Sequence, residues 1–308
     1  MTPHNALRLK PKTASSLLLS MLAPGVLLCQ YAVAAPARSP FSLTIARTSA
    51  ATADVGGDGN QLQRDAWKTS FSAAMPLNRQ WSLGANVGYD NLDYDWRRKQ
   101  ASALFANANA NPWSTVHQYS AGVSLTYRLD NHWMFLLAPK LQYAYADIAS
   151  SSNAQSYGVV ASGMYRFNSG NMLGLGVAYL NDISEVRTVP YLAVRWQIND
   201  KLVLANPFQA GFSGPAGLEL SYQYRPDIDF GIGSSKRTER FLVADDEQTI
   251  EIDEWVGFVR AGWKATDNVS LNAYVGYYFN GEIELSEPKV TEDIEDQAAF
   301  GLVFKLAF

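Results

Sequence analysis

The sequence predicts an all-β chain that closes into a transmembrane, antiparallel, up-and-down β-barrel of about 14 strands. Three observations predict it. Apolar residues recur with a period of two from Phe41 onward, and helical periodicity is nowhere sustained. The connections between these segments alternate between short turns and longer polar stretches. Aromatic residues gather at both ends of the segments, with Leu, Val and Ala between them.

Composition narrows the field first. Of 308 residues, 47% are hydrophobic and only 18% charged, below the usual quarter, which argues against disorder and against a conventional soluble surface. No run of 18 residues is free of charges and turn formers, so a helical membrane bundle is not expected. One Cys excludes a disulfide framework and a Cys-rich zinc site, and a net charge of −4 argues against nucleic acid as a partner.

The first element is a targeting segment. Arg8, Lys10 and Lys12 precede an apolar stretch from Ala14 to Leu28, and Ala32-Val33-Ala34 supplies a small-x-small cleavage pattern. Residues 1–34 therefore read as a secretory signal peptide cut after Ala34, and 35–308 as the barrel. An uncleaved anchor is disfavoured because Pro24 and Gly25 interrupt the run. A lipoprotein is disfavoured because bulky Leu28 precedes Cys29. Removing 34 of the 308 residues leaves 274 with no Cys, 22 Lys+Arg against 29 Asp+Glu and a net charge of −7. A thiol-free chain suits an oxidising compartment.

The strands follow in order. Alternation places them near 40–47, 66–75, 81–90, 117–128, 133–145, 156–166, 172–180, 188–198, 201–207, 217–224, 228–237, 254–263, 269–279 and 298–308. Most are about nine to eleven residues long, the length with which a tilted strand crosses a bilayer. Short turns lie at 76–80, 129–132, 167–171, 199–200, 225–227 and 264–268, rich in Asn, Asp, Pro and Gly. Longer polar loops are expected near 48–65, 91–116, 146–155, 181–187, 208–216, 238–253 and 280–297. Short periplasmic turns and long extracellular loops are the layout of an outer-membrane barrel.

The rings fit this placement. Trp81, Tyr127, Trp133, Tyr165, Trp196, Tyr224, Trp263 and Phe308 adjoin the short turns. Tyr89, Tyr119, Tyr143, Tyr157, Tyr179, Trp255, Tyr277 and Phe300 adjoin the loops. Two such girdles match two membrane interfaces. The alternate face carries Gly, Ser, Asn and Thr, which suits a hydrated lumen and not the dry centre of a β-sandwich.

In the last strand Phe300, Leu302, Phe304, Leu306 and the C-terminal Phe308 share one face. This resembles the terminal strand of Gram-negative outer-membrane proteins, which implies recognition by the barrel-assembly machinery. The chain also carries Gly211-Phe212-Ser213-Gly214-Pro215-Ala216-Gly217-Leu218-Glu219-Leu220-Ser221-Tyr222 and the Arg195-Trp196-Gln197-Ile198-Asn199-Asp200 turn. In these it resembles a family of uncharacterised bacterial outer-membrane barrels, a domain of unknown function. That resemblance implies fold and location but no substrate.

Function is expected in the lumen and the loops. With the aromatic face towards lipid, the inward face holds Lys68, Lys140, Arg195, Arg260 and Lys305 against Glu219 and Asp229. Two readings of these charges stand: a lumen that leans towards anions, or a structural network in which Glu219 and Asp229 bridge Arg195 and Arg260. Inward glycines leave room for a water-filled bore or for infolded loops. The loops 245–254 and 282–296 are strongly acidic and lack the spacing of a calcium loop. They read as solvated segments, or as partners of lipopolysaccharide through its divalent cations. Trp96 with Arg97, Arg98 and Lys99 offers a further contact to lipid phosphates.

No cofactor, metal or catalytic set is expected. Two His remain after cleavage, and His117 and His132 fall at opposite ends of the barrel height. Two functions follow: a porin-like channel for passive diffusion of small hydrophilic solutes, with a lean towards anions, or a closed surface barrel that binds or adheres through its loops.

Overall fold

The computed structural model describes residues 40–57, 59–99, 101, 104, 112–183, 185–207, 211–244 and 248–308. The leader with Ala32 and Ala34, and Asp245, Asp246 and Glu247 of the first acidic segment, lie outside the described residues.

The strands are β1 Phe41–Val55, β2 Asn60–Pro76, β3 Trp81–Arg97, β4 Thr115–Arg128, β5 Trp133–Ala146, β6 Gln155–Arg166, β7 Met172–Asn181 and β8 Val186–Gln197. They continue as β9 Leu202–Ala205, β10 Ala216–Arg225, β11 Ile228–Leu242, β12 Thr249–Lys264, β13 Val269–Leu285, β14 Val290–Ile294 and β15 Gln297–Ala307. Both β14 and β15 lie between β13 and β1, so they form one wall strand in two segments. The wall thus has 14 strands, each antiparallel to its neighbours. It closes where β15 pairs with β1, from Ser42↔Ala307 to Ala50↔Ala299.

The short turns are set by local side chains. Asn78 Oδ1 accepts the N–H groups of Gln80 and Trp81, both at 2.8 Å. Asp130 accepts those of His132 and Trp133 at 2.7 and 2.6 Å, and Asn199 those of Lys201 and Leu202 at 2.9 Å. Thr266 repeats the arrangement with Asn268 and Val269. In each turn one side-chain oxygen accepts two backbone N–H groups, and so fixes the register of the strands it joins.

The outward face is an apolar belt of exposed Val87, Val123, Leu137, Leu175, Ile232, Val259 and Val275. Rings edge it: Trp133, Trp196, Tyr224 and Trp263 on the turn side, and Tyr89, Tyr119, Tyr157, Tyr179 and Tyr277 on the loop side. Trp81 packs on Tyr127 at 4.5 Å, and Phe308 meets Phe41 and Phe71 at 6.1 and 6.2 Å across the closing seam. Phe300, Leu302 and Phe304 are exposed on this face, and Leu306 follows in the same alternation. This exposed belt, wrong for water and right for hydrocarbon, marks a membrane barrel with short periplasmic turns and long extracellular hairpins.

The extracellular side departs from the expected loops. Most of 48–65, 238–253 and 280–297 is strand. Glu251, Asp253 and Glu254 belong to β12, Glu282 and Glu284 to β13, and Glu292 and Asp293 to β14. The hairpins rise beyond the lipid, where the chemistry of the faces reverses. In β3 Leu92, Tyr94 and Trp96 turn inward and are buried, while Asp93 and Asp95 turn outward. Trp96, expected near lipid phosphates, instead packs on Trp113 at 5.2 Å.

The inward residues build an apolar cap across the mouth. Leu62, Leu92, Tyr94, Trp96, Trp113, Val116, Phe241, Ile250, Ile252 and Ile283 form one buried cluster with neighbours from the same hairpins. The end of β11 leans across the opening, so that Leu242 lies beside Tyr145 of β5. The ninth strand is shorter than expected: β9 ends at Ala205, because the chain then turns into the lumen.

Candidate functional site

The lumen is built in layers. Nearest the periplasm, Arg260 on β12 lies between β11 and β13 and is buried. Its Nη2 stands 2.7 Å from Glu219 of β10 and 2.5 Å from Asp229 of β11. Its Nε also donates to Glu219 at 2.9 Å, and Nη1 donates to Asn272 of β13 at 2.9 Å. Ser221 Oγ donates to Glu219 at 2.8 Å. One guanidinium thus ties four strands together, and its charge is compensated where water is scarce.

Above this lies an aromatic layer that includes a residue from a connection. Phe212, in the segment between β9 and β10, is 1% exposed. Its ring stacks on Tyr274 at 5.3 Å and meets Tyr278 at 5.7 Å and Phe258 at 6.3 Å. Wall glycines make the seat: a Cβ on Gly276 or Gly301 would stand 2.9 or 2.7 Å from this ring. Gly211 enters at φ +96°, open to glycine, and Gly214 N–H donates to Ser235 Oγ at 2.9 Å. The segment is therefore folded into the barrel and held there.

The third layer is a second ion network. Arg64 of β2 makes a bidentate pair with Glu254 of β12, at 3.2 and 2.6 Å. Arg237 of β11 bonds Glu239 at 2.7 Å, donates to the Tyr278 hydroxyl at 2.5 Å and lies 3.7 Å from Glu254. Lys68 reaches Glu239 at 3.4 Å and Asp90 at 3.6 Å, and Tyr94 donates to Glu239 at 3.3 Å. Three bases thus meet three acids. A cavity of about 20 Å³, room for one water, lies among Arg64, Tyr94, Arg237, Glu239 and Tyr278. The apolar cap closes the stack above.

The opposite wall differs. On β5 to β8 the inward residues Leu136, Ala138, Val160, Met164, Ala178, Leu180, Val189 and Ala193 form a buried apolar sheet face with Tyr191 packed against it. The expected inward glycines serve this face too, since a Cβ on Gly176 would meet the ring of Tyr191. They seat large neighbours as well as leaving space.

The expected lumen residues divide into three groups. Arg260, Glu219 and Asp229 come together as a structural network, without Arg195. Lys68 joins the upper network. Lys140 points inward and donates to Gln142 at 3.0 Å. Arg195 lies exposed towards the periplasmic end of β8, and Lys305 pairs in register with Thr44 and Ser270 in the same zone. Arg64, Arg237, Asp90, Glu239 and Glu254 were not expected in the lumen. Arg64 and Glu239 fall in segments expected to be loops, and Asp90, Arg237 and Glu254 at the ends of expected strands, although the alternation Leu62, Arg64, Ala66, Lys68 carries the inward face straight through. His117 meets the Tyr89 hydroxyl at 3.0 Å, and His132 Nδ1 meets the Arg166 carbonyl at 2.9 Å, on opposite ends of the barrel.

This belt and lumen define the chain as an outer-membrane β-barrel. No family model matches it, and no curated protein matches it in sequence. Among solved structures it is similar to the COG4313 outer membrane channel from Pseudomonas putida F1, at 14% identity and a TM-score of 0.50, over 94% of this chain and 100% of that one. It superposes more loosely on the toluene transporter TodX of Pseudomonas putida, at 9% identity and a TM-score of 0.39, over 88% of this chain and 90% of that one. With the KdgM porin the values are 10% and 0.34, over 86% and 99%. The likeness to the first is one of fold.

Proposed function

We propose that the chain is a channel for passive passage of small hydrophilic solutes across a Gram-negative outer membrane, exported there by a cleaved signal peptide. One observation carries this reading: among the groups that fill the lumen is a connection, with Phe212 folded inward onto the wall's Tyr274 and Phe258, so part of the obstruction does not belong to the wall. Inward of the turn-side girdle the wall carries Ser70, Ser72, Asn86, Ser124, Ser270 and Asn272, small polar groups that water can solvate. Barrels of eight strands are filled by their own side chains and those of sixteen leave a channel. A barrel of fourteen has a bore to obstruct, and Phe212 with the Trp113 cap obstructs it.

The anion lean rests on fewer residues than expected. Arg64 and Arg237 add to the bases, but Asp90, Glu239 and Glu254 add more to the acids. The lean then rests on Lys140, which bonds Gln142 and lies within electrostatic reach of Asp90, and on exposed Arg195.

Planar-bilayer recording tests both statements. Refolded protein is expected to give ohmic steps, enlarged at least about twofold in a Phe212→Ala, Trp113→Ala double variant. Silence from both proteins, each shown folded by heat-modifiable gel mobility, would exclude the channel and leave a closed surface barrel, which the sealed mouth would suit. Lys140→Glu with Arg195→Glu should move the reversal potential towards cations. An unchanged potential removes the anion lean.

A further inference from the structure

The barrel wall is not uniform. β8 runs from Val186 to Gln197, but β9 pairs with it only at Arg195, Trp196 and Gln197. Immediately above, a single residue bridges the wall. Asn206 donates its N–H to the Val194 carbonyl at 3.2 Å, and its Oδ1 accepts the Val194 N–H at 2.7 Å. Its Nδ2 donates to the carbonyls of Leu192 on β8 and Gly217 on β10, at 3.2 and 3.1 Å. Beyond that point no described strand continues β9, because the chain has turned inward to Phe212.

The upper edge of β8 is thus open, and it lies within the membrane. Thr188 is in register with Tyr179 of the loop-side girdle, while Trp196 belongs to the other girdle. The edge from Thr188 to Ala193 therefore sits in the outer half of the apolar belt. Sequence supports a genuine edge here. Val194 turns its N–H and C=O towards Asn206, and residues two apart share that direction. Leu192, Pro190 and Thr188 then face the gap, and at the middle one proline removes the N–H that would otherwise be left there.

The gap has a frame. Asn206 is its sill. Its lintel is an ion cluster that ties β8 to β11 and β12: Arg187 and Arg240 share Asp182 at 3.0 and 3.2 Å, and both contact Glu251. Behind the edge the lumen is apolar, with Val189, Tyr191, Ala193 and Leu180 on one side and the Phe212 rings beyond. An open strand edge at hydrocarbon depth is tolerated where it lines a cavity, not where it faces lipid for no purpose.

We propose that the break between β8 and the upper part of β11, above Asn206 and the start of β10, is a lateral portal, through which small apolar or weakly amphipathic molecules pass between the lumen and the outer leaflet. This adds a second route and a second solute class to the channel reading, and it rests on that reading for a passable lumen.

The mature chain has no other thiol, so single cysteines report cleanly. The test uses Pro190→Cys at the edge and Leu175→Cys on the lipid face of the paired β7. In cells whose outer membrane carries the protein, uptake of N-phenylnaphthylamine should rise several-fold over cells without it. A bulky thiol reagent should abolish that gain at Pro190→Cys, spare Leu175→Cys, and leave the ionic conductance of both purified variants unchanged. Conductance with uptake that ignores the label at Pro190→Cys, or falls equally at Leu175→Cys, overturns the portal alone. Absence of both conductance and uptake overturns the channel and the portal together. A second measurement needs neither solute. Bimane on inward Tyr191→Cys should be quenched by nitroxide-labelled lipid, while bimane on inward Leu136→Cys, behind a paired wall, should not. Equal protection of the two would show the wall to be sealed.

Discussion

The same strands obey opposite rules at two heights. Within the membrane β12 turns Val259, Ala261 and Trp263 outward and Arg260 inward, whereas above it Glu251 and Asp253 face out and Ile250 and Ile252 face in. β3 makes the same exchange between Val87 with Tyr89 and Asp93 with Asp95. In β3 and β12 the alternation runs through unbroken and only the solvent outside changes, whereas bulges in β1 and β13 shift it by one residue on the way up. Lipid selects apolar residues for the outer face and leaves polar ones for the lumen. Water selects the reverse, so the extracellular barrel is organised like a soluble protein with its own buried centre.

The largest effect should come from the boundary between the two regimes, where charge is buried. Glu254→Ala strips Arg64 of its bidentate partner and leaves an uncompensated guanidinium between the aromatic layer and the cap. Removal of one member of a buried pair costs about 3–5 kcal/mol. Denaturant unfolding in detergent or lipid should show a loss of that size. Arg64→Met with Glu254→Met should recover most of it, because the pair is then replaced and not broken.

Next comes a direct comparison of the two heights. Val259→Arg places a charge on the lipid face within the belt, and should cost about 2–4 kcal/mol. Asp95→Arg lies on the same face of the barrel above the membrane, with its side chain 63% exposed, and should change stability by less than about 0.5 kcal/mol. Equal costs would mean that the belt ends elsewhere. A smaller effect is expected on the acidic ladder, where Glu282 stands between Asp253 and Asp293 in register. Glu282→Lys should stabilise by about 0.5 kcal/mol at low salt, and the gain should fade as salt is added.

The exchange of faces explains what could be read from sequence. Strand ends at the turns were legible to within a residue or two: at Trp81, Trp133 and Val269 because Asn78, Asp130 and Thr266 mark those turns with their own hydrogen bonds, and at Met172 and Ile228 because Gly170 and Pro226 interrupt the alternation. Ends at the loops were not. Strands expected to stop at 47, 90 and 279 continue to Val55, Arg97 and Leu285, since above the lipid an outward acid looks like a loop residue. Arg260, Glu219 and Asp229 share neighbouring strands at similar height, so their meeting was within reach. Phe212 was not, because its place depends on glycines at 276 and 301, distant in sequence and informative only once the wall has closed.

The smallest predicted effect concerns the turns, which lie outside both regimes. Asn78, Asp130, Asn199 and Thr266 accept the same pair of N–H groups, two and three residues on. Asp130 alone among them is ionisable. The N–H groups of Trp133 and His132 stabilise its carboxylate and hold its pKa below the ordinary value. A group with a lowered folded pKa contributes stability above its unfolded pKa, and that contribution is lost as pH falls through the folded value. Unfolding of the wild type should therefore become slightly easier below about pH 4, where an unperturbed aspartate protonates. Asp130→Asn keeps an oxygen acceptor, as Asn78 and Asn199 do, and should remove that acid-dependent component while leaving stability at neutral pH nearly unchanged. Unfolding midpoints measured from pH 7 to pH 3 decide it: parallel curves for the two proteins would mean that this carboxylate contributes through shape alone.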